Sequence, residues 1–128
     1  MIQQITEGVK ISVQSNFDSS YFDGESLQFR FNYFIEIENN NPHSVKLIYR
    51  KWTILDALNE SEIIEGIGVL GQQPVLKPFG SYSYNSGCAM KGPVGSMKGI
   101  YGMVRLTDQH TFEVIIPNFR LCAEFTQN

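Results

Sequence analysis

The residues with the most chemical scope in this chain are glycines and lysines gathered in two stretches. The first, Glu65-Gly66-Ile67-Gly68-Val69-Leu70-Gly71-Gln72-Gln73-Pro74, contains GxGxxG at Gly66, Gly68 and Gly71. In a dinucleotide fold such glycines let backbone N–H groups approach a pyrophosphate at the start of a helix. Here Pro74 and Pro78 fall within seven residues of Gly71, Val75-Leu76 between them is too short for a helical face, and no GK[ST] follows. This is not a Walker loop, and a conventional Rossmann site is not the expectation. Two readings remain: a backbone anion nest without a helix, or glycines that permit bulges and close backbone passage. The second stretch runs from Ser86 to Gly99, with Lys91 and Lys98 beside Gly92 and Gly95. Lysines on a glycine-rich backbone suit a phosphate or carboxylate; they equally suit a solvated loop. The candidate anion-binding set is Gly66, Gly68, Gly71, Lys91, Gly92, Gly95 and Lys98. The two loops reinforce each other only if the fold brings them to one end.

The remaining inventory is thin. Asp56, Glu60, Glu62 and Glu65 surround one predicted hairpin. They could hold a hydrated Mg²⁺, which needs only one or two carboxylates, or form a solvated turn; their spacing matches no EF-hand loop. His43 and His110 each lie by a turn, and neither shares a motif with a nucleophile. GxSxG, HExxH and CxxC are absent. Cys88 and Cys122 are too far apart in sequence for a chelating pair and read as reduced packing residues. The expectation is a non-enzymatic chain with no cofactor.

These loops must be held by strands. Leu27, Phe29, Phe31, Tyr33, Ile35 and Ile37 form one face of a period-2 run whose other face is polar except for Phe34. Side chains alternate across a strand, so this run is a long strand with one face on a core. Shorter alternations occur at Val9–Val13, Tyr82–Tyr84, Ile100–Leu106 and Phe112–Ile116, the last expected to end at Pro117. Between Val45 and Leu55 the apolar face switches from Val45 and Leu47 to Ile48, Trp52 and Ile54, the mark of a β-bulge; residues 52–58 also allow a helical turn. Trp52 reads as a core ring, with Arg50 and Lys51 facing solvent. Residues 16–26, Asn39–Pro42, Asn59–Ser61, Pro78–Gly80 and Thr107–His110 read as connections. The expected fold is all-β, an immunoglobulin- or fibronectin-III-like β-sandwich of about seven strands.

At 128 residues the chain fits one domain, 1–128, able to bury a core without staples. A net charge of −3 gives no footprint for nucleic acid. The N-terminus lacks the pattern of a signal peptide, and no apolar run approaches the ~20 residues of a membrane span. The expected location is the cytoplasm.

The order of segments resembles the ApaG family. The resemblance rests on Arg50-Lys51-Trp52-Thr53-Ile54-Leu55-Asp56, then Gly66 through Leu76, then Tyr84-Asn85-Ser86-Gly87-Cys88. It continues through Pro93-Val94-Gly95-Ser96-Met97-Lys98-Gly99-Ile100-Tyr101-Gly102-Met103 and ends in Phe112–Leu121, spanning roughly Val9 to Leu121. It implies a fibronectin-III-like sandwich and a domain reused beside F-box and polymerase-interacting proteins. It also implies a link to cobalt and magnesium handling and to a diadenosine-tetraphosphate hydrolase neighbour. Two departures stand out. Lys51 replaces the middle histidine of Arg-His-Trp, and Lys77-Pro78-Phe79-Gly80 replaces a Pro-Gly turn. The resulting expectation is an interaction module meeting a protein partner or a phosphate-containing small molecule. The alternative is a metal-dependent enzyme acting on a nucleotide or polyphosphate.

Overall fold

The computed structural model describes residues 1–123. In chain order the strands are β1 (Ile2–Thr6), β2 (Val9–Phe22), β3 (Leu27–Asn39), β4 (Val45–Asp56), β5 (Glu62–Ile67), β6 (Val75–Leu76), β7 (Ser81–Met90), β8 (Val94–Arg105) and β9 (His110–Cys122). They form two antiparallel sheets, ordered β1-β2-β3-β7 and β5-β4-β8-β9, with β6 pairing β4 beyond the end of β5. The fold is the all-β sandwich that the alternation implies. Among the described residues no helix is long and apolar enough to cross a membrane.

The period-2 run of β3 buries Phe29, Phe31, Tyr33, Ile35 and Ile37 in the core, while Leu27 at its start is exposed. Trp52 of β4 joins them. Its ring centroid lies 5.5 Å from Tyr33, 5.9 Å from Phe119 and 6.5 Å from Tyr101. Each such pair adds about 0.5–1.5 kcal/mol beyond the area it buries. The face switch in β4 is a bulge: the register with β8 shifts between Leu47 and Tyr49, which leaves Ile48 unpaired in that ladder. β4 then continues as strand to Asp56, so residues 52–56 are not helical.

Several boundaries differ from the sequence expectation. β1 and the two-residue β6 bring the strands to nine among the described residues. Residues 16–22 are strand rather than loop; only Asp23–Ser26 turns, with the Asp23 carboxylate accepting from the N–H groups of Glu25 and Ser26, both at 2.9 Å. Pro117 does not end its strand. The β8–β9 register shifts opposite it, and a bulge is where a residue without an N–H costs no ladder bond. In β8 the deepest residues are Met97, Tyr101 and Met103.

Candidate functional site

The two long sides of the sandwich are unlike. On one, β1 and β2 are stitched to β9: the Ile115 N–H donates to Thr6 Oγ1 at 3.2 Å, and Ser15 Oγ donates to the Arg120 carbonyl at 3.2 Å. His110 Nε2 lies 3.3 Å from Glu7 Oε1 on the same side. On the other side β5 pairs only with β4 and β7 only with β3. Among the described residues both are free edges. β5 is the more exposed, with Ile63 60% and Ile67 74% accessible and Glu62 and Glu65 in solvent.

Between these edges lies Arg50. It shares strand parity with Trp52 and Ile54, so its side chain turns toward the inner face and is half-buried, while Lys51 points outward toward Glu65 at 3.9 Å. That parity was the signal in the sequence. Arg50 Nη1 donates to the carbonyls of Ile67 (3.3 Å) and Gly68 (2.8 Å). The glycine segment is wrapped around it. A Cβ on Gly66 would stand 2.7 Å from Nη1 and 2.8 Å from Cζ of Arg50. Gly68 has φ +62°, and a Cβ there would run into the Gln72 carbonyl oxygen.

Leu70 (φ 49°) and Gly71 (φ 77°) are the left-handed centre of a turn closed in both directions between Val69 and Gln72, at 2.8 and 2.9 Å. Two left-handed central residues are the signature of a type I′ turn. The Gly68 N–H donates to the Ile48 carbonyl at 2.8 Å, and Gln73 Nε2 reaches the same oxygen at 3.0 Å. The bulge in β4 and the glycine turn are therefore one device. The N–H groups of Gly68, Val69 and Gln72 are already engaged by backbone.

The lysine-bearing loop lies elsewhere. Lys91 and Gly92 occupy the β7–β8 turn, where their N–H groups donate to the Asp56 carboxylate at 2.8 and 3.0 Å; Leu58 N–H donates to it at 3.0 Å. This backbone concavity holds a carboxylate, supplied by the chain itself. Gly95 sits in the β8 ladder between Asp56 and Leu121. Lys98 faces outward with Lys51, Glu65 and Glu113 in an open concavity of about 460 Å³. Arg50 and Asp56 are six residues apart on one strand, about 20 Å at 3.4 Å per residue. The seven candidate anion ligands thus divide among three places.

Asp56, Glu60 and Glu62 line a cleft with Lys91, while Glu65 lies on the opposite face of β5 from Glu62. Both Asp56 oxygens are taken by N–H donors. Among the described residues no three His, Cys, Asp or Glu side chains gather as metal ligands. This donor set does not fit a resident cation. Burial pushes the Cys88 thiol up to about 11, so it stays protonated and unreactive at neutral pH. Its Sγ lies 3.7 Å from Met97 Sδ.

With this geometry in hand, the comparisons with known proteins are informative. The ApaG domain family model matches residues 19–105. Protein ApaG of Maricaulis maris (strain MCS10) is 42% identical over 114 residues, covering 89% of this chain and 87% of that one. Protein ApaG of Anaeromyxobacter dehalogenans (strain 2CP-1 / ATCC BAA-258) is 40% identical over 128 residues, the full length of both. The crystal structure of a putative ApaA protein from Bordetella pertussis superposes with a TM-score of 0.79 at 33% identity, covering 92% of this chain and 95% of that one. An X-ray structure of a structural genomics target reaches 0.85 at 33% identity, over 90% and 86%. The family model over residues 19–105, the near full-length relatives and the superposed structures agree: this chain belongs to the ApaG family.

Proposed function

We propose that this chain is a recognition module without catalytic chemistry of its own, and that it takes an extended segment of a partner protein on the β5 edge. The observation that carries this reading is the free edge of β5, with apolar Ile63 and Ile67 and acidic Glu62 and Glu65 all in solvent. Soluble proteins usually blunt such an edge, because unpaired N–H and C=O groups template another strand. Strand addition supplies affinity through main-chain hydrogen bonds and specificity through alternate side chains. The carboxylates favour a partner segment that alternates apolar with basic residues.

An enzyme acting on a nucleotide or polyphosphate would need a base beside a bound phosphate. His110 is engaged by Glu7 on the stitched side, and Cys88 stays a thiol. On this reading any link to cobalt or magnesium handling runs through the partner.

The test is a photo-crosslinking residue introduced in cells at Ile63 or Ile67, with Gln14 on the outer face of β2 as control. An adduct of one mass from both β5 positions, absent at Gln14 and lost with Glu62→Lys and Glu65→Lys together, supports the reading. No adduct from β5, or equal adducts from Gln14, overturns it.

A further inference from the structure

From the cleft beside the glycine turn we infer that this protein has a site for a single small oxyanion, a carboxylate or phosphate group, centred on Arg50. The cleft measures about 120 Å³ and is lined by Arg50, Tyr33, Tyr84, Ser86 and the turn residues Leu70 and Gly71. At about 30 Å³ per water it has room for about four waters, enough for one oxyanion head and too little for a nucleobase.

Its chemistry is one-sided. The Arg50 guanidinium is half-buried, and among the described residues no carboxylate is paired with it. Of its five N–H donors, only those on Nη1 have acceptors among the described residues, the carbonyls of Ile67 and Gly68. Nε and Nη2 are left over. The hydroxyls add to this excess. Tyr84 and Tyr101 share one hydrogen bond between their hydroxyls, and Tyr101 lies fully buried behind Tyr84. When Tyr101 donates, the proton on Tyr84 is free for an acceptor in the cleft. Ser86 and Tyr33, opposite each other in the β3–β7 register, share a hydrogen bond between their hydroxyls, which leaves one proton of that pair for an acceptor in the cleft. A cleft with surplus donors and a fixed positive charge selects an anion with several acceptor lone pairs, and the planar guanidinium fork favours a carboxylate or phosphate.

This site is distinct from the β5 edge and from the lysines at 91 and 98. It uses the glycine turn as a wall and holder of Arg50, with Nη1 fixed by Ile67 and Gly68 so that the remaining N–H groups need no reordering to bind.

The experiment is an NMR titration of the full chain with sodium phosphate, sodium acetate and sodium chloride in separate arms, following the Arg50 Nε–H signal and the amides of Leu70, Gly71 and Ser86. Saturable shifts of these signals with phosphate or acetate, and none with chloride, are expected; the arm that saturates at lower concentration identifies the group. Arg50→Lys should weaken binding by about tenfold or more, since an ammonium cannot reproduce the fork. If Arg50→Lys does not fold, Ser86→Ala decides, with a several-fold rise in dissociation constant expected. Absence of saturable shifts at tens of millimolar, shifts confined to Lys51 and Lys98, or affinity unchanged in every folded variant would overturn the site. Because the readout is local to the cleft, its failure leaves the crosslinking result at β5 untouched.

Discussion

Asn39 closes β3 with its side chain in the core. Its Nδ2 donates to the carbonyls of His43 (2.9 Å), Leu76 (3.1 Å) and Lys77 (3.1 Å), and its Oδ1 accepts from the Asn41 N–H at 3.1 Å. One amide thereby ties the β3–β4 loop to β6. A buried amide whose bonds are all made costs little; its removal strands several partners at once. Asn39→Ala should lower stability by about 1–3 kcal/mol, read from the shift in urea midpoint at unchanged slope. Sequence alone placed Asn39 in an Asn-rich loop and could go no further, because two of its acceptors lie 37 and 38 residues away. Asp56 is a similar case. Its neighbours Glu60 and Glu62 suggested a cation, whereas its oxygens hold the N–H groups of another loop. Arg50 was legible in principle, since its parity with Trp52 fixes its face, but the basic pair Arg50-Lys51 was read as solvated as a unit.

At the scale of elements, the glycines divide by geometry. Gly68 combines φ +62° with a blocked Cβ position, whereas Gly71 has φ +77° and open space around the same position. Left-handed geometry costs a residue with a Cβ about 1–2 kcal/mol. Gly68→Ala should therefore destabilise by more than about 1 kcal/mol and by more than Gly71→Ala, in parallel urea titrations. Equal costs would mean that the turn can relax away from Gln72. The alternation in β3 was readable because one face is buried along most of its length. The second half of β2, Phe17–Phe22, was not, since it is mostly solvated on both faces. Pro117 misled for a related reason: a bulge alters the pattern by one residue, and nothing local shows which partner strand takes up the shift.

Across the whole molecule, Tyr33, Tyr84 and Tyr101 converge between the sheets, and burial, the largest cause in each, holds their hydroxyls protonated above the ordinary 10.0. Below that value folded and unfolded chains hold these protons equally, so the tyrosines add no pH dependence. Above it the unfolded chain releases them first, and stability falls as pH rises. The urea midpoint should decline from about pH 10 upward, and Tyr101→Phe should make that decline shallower. A decline of unchanged steepness in the variant would place its origin outside this cluster. The asymmetry of the two sides has a further consequence. One seam of the sandwich is sewn by β1 and β2, and at the other, among the described residues, β5 and β7 do not pair with each other. A partner segment added to β5 would be its thread: it would bind the folded chain and not the unfolded one, so its occupancy and fold stability would rise together. Under the proposed function, recognition and completion of the fold are then a single event.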